Sequence, residues 1–92
     1  MFDLNEMMKK LQEQLQEADN KIYTAKSGGG LVEASVNGKM EVIDLKIDDS
    51  LLEDKESLQI LLMSAINDAM KMALEDKKRE ALNMFGGLNS VK

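Results

Sequence analysis

The sequence predicts an α+β domain in the order helix, three antiparallel strands, long helix. Three observations carry that prediction. A strict apolar heptad occupies positions 1–22, an Asn-Gly pair divides two alternating runs at 31–48, and neither Pro nor Gly interrupts the chain from Lys55 to Phe85. The 92 residues suit a single domain spanning 1–92. So short a chain buries a smaller share of its surface than a longer one, so pairing with a second copy would help it.

The heptad comprises Met1, Leu4, Met8, Leu11, Leu15, Ala18 and Ile22, spaced by alternating threes and fours. It predicts a helix from Asp3, which can cap it, to about Asn20, roughly 27 Å long at 1.5 Å per residue. A stripe this narrow favours packing on another helix, because a helix lying on a globular core shows a broader apolar face. The simpler alternative is that it covers the chain's own sheet. Lys21 to Ser27, KIYTAKS, is rich in β-branched and aromatic residues and reads as the first strand. Gly28-Gly29-Gly30 lacks both the G-x-x-x-x-G-K-[ST] pattern and a following helix, so it reads as a tight or flexible connection rather than a phosphate loop.

Leu31 to Asp48 forms a hairpin around Asn37-Gly38, the pair suited to the two positive-φ sites of a type I′ turn. If Val36 pairs with Lys39, Val32 falls opposite Ile43 and Ala34 opposite Glu41. Alternation then places Val32, Ala34, Ile43, Leu45 and Ile47 on one face, with Glu33, Ser35, Asp44, Lys46 and Asp48 on the other. Ser50 followed by Glu53 is a capping box, which predicts a helical turn from Ser50; Asp54 is a second cap, with the main helix starting near Lys55. Leu58, Leu61, Leu62, Ala65, Ile66, Ala69, Met72 and Ala73 make a broad stripe fit to cover the sheet. The helix is expected to reach about Met84 and to project past the sheet. Gly86-Gly87 then stops it and leaves 86–92 as a frayed tail.

The composition excludes several kinds of chemistry. With no Cys and no His there is no disulfide framework, no thiolate metal site and none of the commonest general base. Asp48-Asp49 lacks the ligand alternation and Gly of a calcium loop. Asp44, Asp48, Asp49 and Asp68 stand without a visible nucleophile or base, so an enzyme is not expected, nor a metal, cofactor or small-molecule substrate. The longest apolar run, Ile60 to Met63, is far too short to cross a bilayer, and the amino terminus has no signal-peptide pattern, so a cytoplasmic protein is expected. The net charge of −5 argues mildly against phosphate partners, although local charge on one face matters more than the total. Glu75-Asp76-Lys77-Lys78-Arg79-Glu80 reads either as a solvated helix face supported by a Glu75–Arg79 pair or as a basic cluster for phosphates.

Taken together, the Met-, Gln- and Lys-rich heptad, Thr24 to Val32, Val36-Asn37-Gly38 with Glu41-Val42 and Ile47-Asp48, Leu51 to Leu58, and Ala65 to Ala69 resemble the YbaB/EbfC family of bacterial nucleoid-associated proteins. Their order and spacing carry the resemblance, which covers most of the chain. Met40 stands where relatives frequently have Gly, and Asp49 where many have Pro. The resemblance implies an α-β-β-β-α protomer, a tweezer-like homodimer, and binding to double-stranded DNA in the nucleoid with roles in its organisation and in gene expression. It assigns the DNA-contacting surface to the helices, where the matching basic residues are Lys9, Lys10 and Lys21 near the first and Lys71, Lys77, Lys78 and Arg79 on the last. The scarcity of aromatic residues speaks against a single-strand stacking platform. The competing reading is a protein-interaction module that docks through the heptad and the Leu82, Met84 and Phe85 patch, with little DNA binding.

Overall fold

A computed structural model describes residues 3–89; within it, the side chains of residues 14, 15, 18 and 84–89 lie outside the description. Met1 and the side chains of Leu15, Ala18, Met84 and Phe85, all invoked above, are therefore outside the described residues. The element order is α1 (Leu4–Asp19), β1 (Ile22–Ser27), β2 (Val32–Asn37), β3 (Val42–Ile47) and α2 (Lys55–Asn89). This is the predicted α-β-β-β-α protomer, with a single antiparallel sheet ordered β1-β2-β3. Asp3 caps α1 as expected, its carboxylate accepting the Asn5 N–H at 3.0 Å.

One helix covers two strands. Val32, Ala34 and Val36 of β2 and Ala25 of β1 face α2, which seats Ala65, Ala69 and Ala73 on them at i,i+4 spacing. These alanines let the helix approach the sheet closely, and Leu58, Leu61, Leu62 and Ile66 fill the flank over Val32, Ala34 and Leu51. Met72, expected on the covering stripe, sits at its margin and remains largely exposed. On the opposite sheet face Thr24 and Ser35 pair through their hydroxyls at 2.8 Å. The core is thin, its largest fully buried side chains being Val32 and Val36.

The connection between β1 and β2 explains the glycines. Gly28, Gly29 and Gly30 take φ of +61°, +70° and +99°, a left-handed path that residues with a Cβ follow only at a cost. Gly28 is also pressed against α2, where a Cβ would lie 2.7 Å from Leu61 Cδ1. Beside it, the Ser27 hydroxyl donates to the Leu61 carbonyl at 2.6 Å and ties the end of β1 to the helix.

The hairpin departs from the predicted register. Val36 pairs with Val42, not Lys39, a bulge follows, and Val32 lies opposite Ile47 with Ala34 opposite Leu45. The loop is longer than a two-residue turn because Asn37 organises it from outside. Its Oδ1 accepts the N–H groups of Lys39 and Glu41 at 3.0 and 3.1 Å, and its carbonyl accepts that of Met40 at 3.0 Å. The positive φ falls on Met40, at +65°, and not on Asn37 or Gly38. A turn closed by a left-handed residue is a familiar longer hairpin loop. The register moves by four residues, an even number, so Leu45 and Ile47 keep the predicted face while Ile43 falls at the bulge.

Two helix ends also differ from expectation. The turn before α2 spans Asp49–Leu51 and is capped by Asp48, whose carboxylate accepts the Ser50 N–H at 3.0 Å. Ser50 donates its own hydroxyl to that carboxylate and so does not act as the cap. Asp54 caps α2 as predicted, accepting the Ser57 N–H at 3.2 Å. At its far end α2 runs through Gly86 and Gly87 to Asn89. A glycine weakens a helix by about 1 kcal/mol but keeps the backbone donor that a proline removes. The tail expected over 86–92 is thus helical as far as Asn89, and residues 90–92 lie outside the described residues.

Candidate nucleic-acid interface

The 35-residue α2 extends about 52 Å, against roughly 20 Å for a six-residue strand, so its carboxyl-terminal part runs well past the sheet. The basic cluster lies where the helix leaves the sheet. With 3.6 residues per turn, Lys71 and Lys78 sit seven apart on the side opposite Ala69 and Ala73, about 10 Å from one another along the axis. Lys77 and Arg79 lie on opposite flanks, so no single face of α2 presents all four. Lys71, Lys77, Lys78 and Arg79 are all exposed. Lys9 and Lys10 are exposed on α1, off its apolar stripe and on either side of its polar face.

Lys21 is placed differently. It sits at the junction of α1 and β1, and its ammonium group reaches Asp76 Oδ2 at 3.3 Å and also pairs with Glu80. The Tyr23 hydroxyl donates to the same Asp76 oxygen at 2.5 Å. Glu80 and Asp76 hold the Lys21 pKa above its ordinary value by hydrogen bonding. The Tyr23 hydroxyl, then Lys21, holds the Asp76 carboxyl below its ordinary range, and burial followed by Asp76 raises the Tyr23 phenol. Among the described residues these are the only ion pairs, and the Glu75–Arg79 pair is not made.

Sequence reasoning missed this cluster because 53 to 59 residues separate its partners. A signal was nonetheless present. Asp76 and Glu80 continue the inward stripe of Ala65, Ala69 and Ala73, and acidic residues at such positions need a cation or donor across from them.

A second feature is the uncovered third strand. Val42, Leu45 and Ile47 share the sheet face that α2 covers on β1 and β2, yet they are 41%, 42% and 38% exposed. β3 is also an edge strand, with one row of backbone groups unpaired within the chain. On α1, Leu4, Met8 and Leu11 are exposed as well. No described helix is long and apolar enough to cross a membrane, and no described cluster of three or more His, Cys, Asp or Glu is placed to hold a metal ion.

The arrangement has clear relatives. A nucleoid-associated protein of a Nitratiruptor species is 61% identical over 83 residues, covering 90% of this chain and 78% of that protein. Another, from Aliarcobacter butzleri, is 53% identical over 93 residues, covering 97% of this chain and 88% of that protein. Among solved structures, the crystal structure of an uncharacterized protein from Helicobacter pylori superposes with a TM-score of 0.73 at 53% identity, covering 89% of this chain and 99% of that one. The sequence model of the YbaB/EbfC DNA-binding family matches residues 1–88, and the chain belongs to that family.

Proposed function

We propose that this protein binds double-stranded DNA as a homodimer with little or modest sequence preference, through phosphate contacts from basic side chains on its two helices. One observation carries the reading. Lys71, Lys77, Lys78 and Arg79 are exposed where α2 leaves the sheet, and among the described residues none forms an ion pair. Cations so placed suit a phosphate backbone, and contacts of that kind position a protein on DNA without reading bases. Membership in a DNA-binding family supports it. Lys9 and Lys10 on α1 would add contacts, whereas Lys21 is already engaged by Asp76 and Glu80.

The uncovered third strand supports the dimer. A second copy meeting it across a twofold axis would bury Val42, Leu45 and Ile47 and offer partners to the unpaired edge. Such a dimer would double the basic residues and set two projecting helices to straddle a duplex, like tweezers, and change its conformation. In the cell this reading places the protein in the cytoplasm on the nucleoid, where it would organise DNA and affect gene expression.

The test is the salt dependence of binding. Replacing Lys77, Lys78 and Arg79 by Ala is expected to weaken binding on every duplex. It should also flatten the log–log salt slope by about 0.9 for each phosphate no longer neutralised. An unchanged slope would reject these residues as phosphate contacts.

A further inference from the structure

We propose that Lys21 serves as an internal counter-ion that latches the root of α1 and β1 to α2 and partly offsets the charges of Asp76 and Glu80, and that it does not itself contact DNA. The proposal rests on the DNA-binding reading above and refines it. Lys21 follows the last turn of α1 after a single intervening residue, and two contacts fix that junction. The Gly38 N–H donates to the Asp19 carbonyl at 3.2 Å, and Lys21 reaches across to Asp76 at 3.3 Å and to Glu80. Tyr23, next but one along β1, adds its hydroxyl to Asp76. Four groups, from the α1–β1 junction, the strand and the helix, thus meet where α2 passes the end of the sheet.

The electrostatic consequence follows from the charge order along α2. Between Lys71 and Glu80 the helix carries the cations Lys71, Lys77, Lys78 and Arg79 against the acids Glu75, Asp76 and Glu80. Unneutralised, those acids would repel the phosphates that the cations attract. Lys21 lies against two of them and its single charge offsets half of theirs, while among the described residues Glu75 has no ion-pair partner. Removing the Lys21 charge should therefore weaken DNA binding while every phosphate contact stays in place. Two unit charges about 8 Å apart in water change an equilibrium by roughly a factor of two to three, which makes the loss about sixfold for two arms.

The experiment compares wild type, Lys21→Gln, Asp76→Asn/Glu80→Gln and the triple combination on a random-sequence duplex across salt. The latch predicts that Lys21→Gln binds about sixfold more weakly with an unchanged salt slope. It also predicts that adding Asp76→Asn and Glu80→Gln restores wild-type affinity or better. A slope flattened by about 0.9 per protomer without rescue would mean that Lys21 touches phosphate, and would overturn the proposal. A readout independent of DNA comes from Tyr23, the single Tyr in a chain without Trp. In an absorbance titration of its phenol, Asp76→Asn should lower the midpoint and Lys21→Gln should raise it. If neither substitution moves the midpoint, the latch is absent in solution. If both move it while wild type fails to bind DNA, the latch stands and the DNA-binding reading falls.

Discussion

Gly28 allows backbone strain and packing to be measured separately. Gly28→Ala meets two obstacles: φ of +61° and a new Cβ 2.7 and 3.0 Å from the two methyl carbons of Leu61. Gly29→Ala meets only the first, since its φ is +70° and nothing lies within 4 Å of its Cβ. A left-handed residue with a Cβ costs about 1–2 kcal/mol. Overpacking adds typically about 1–3 kcal/mol, here toward the lower end because Leu61 is only partly buried and its methyls can yield. The expected losses are therefore about 1 kcal/mol for Gly29→Ala and roughly 2–3 kcal/mol for Gly28→Ala. For a domain of this size each kcal/mol lowers Tm by about 4–8 °C. Thermal unfolding followed by circular dichroism reads the difference, with protein concentration held fixed because association would shift Tm. Equal losses at the two positions would show that Leu61 is not seated on Gly28 and that α2 crosses the sheet in a different register.

Three further outcomes are expected. Met40 combines a φ of +65° with packing against the cluster of Ala25, Val36, Ala69 and Ala73, so Met40→Gly gives up packing but relieves strain, whereas Met40→Ala gives up packing alone. Urea unfolding should rank Met40→Gly above Met40→Ala by about 1 kcal/mol, and the reverse order would contradict the left-handed loop. The Asp76 carboxyl, depressed first by the Tyr23 hydroxyl and then by Lys21, with Arg79 also nearby, contributes stability above its unfolded pKa of about 4. That contribution disappears as pH falls through the lower folded value, so wild type should exceed Asp76→Asn in stability above about pH 5, and the gap should close in acid; a gap constant with pH would refute the pairing. If the chain pairs through the uncovered strand as proposed, light scattering should find wild type at twice the 10.3 kDa chain mass and Leu45→Glu at the chain mass; a wild-type monomer, or a mass that Leu45→Glu leaves doubled, would contradict pairing through this strand.

The elements are legible in the sequence because several local signals agree: the heptad, the strand alternation, Asp54 as a cap and the inward stripe of α2. The loop between β2 and β3 is less so, because Asn37-Gly38 invites the shortest turn while the true loop is set by Asn37 accepting from Lys39 and Glu41. The expected register pairs Ala34 with Glu41, a mismatch that the observed pairing with Leu45 removes. The basic residues can be named from sequence, but their separation into exposed cations and an engaged Lys21 depends on contacts across more than 50 positions. No local pattern encodes such a contact. The acids lying on the inward stripe are its only trace.

The most direct test of DNA binding by a dimer is a fluorescence-anisotropy titration of the full chain on a random-sequence duplex, repeated from low to physiological salt. The account predicts saturable binding by two chains per site, with affinity falling linearly against salt on logarithmic axes and little change between duplex sequences. Absence of binding at the lowest salt would contradict it, and would turn attention to a protein partner for the exposed Leu4, Met8 and Leu11 of α1.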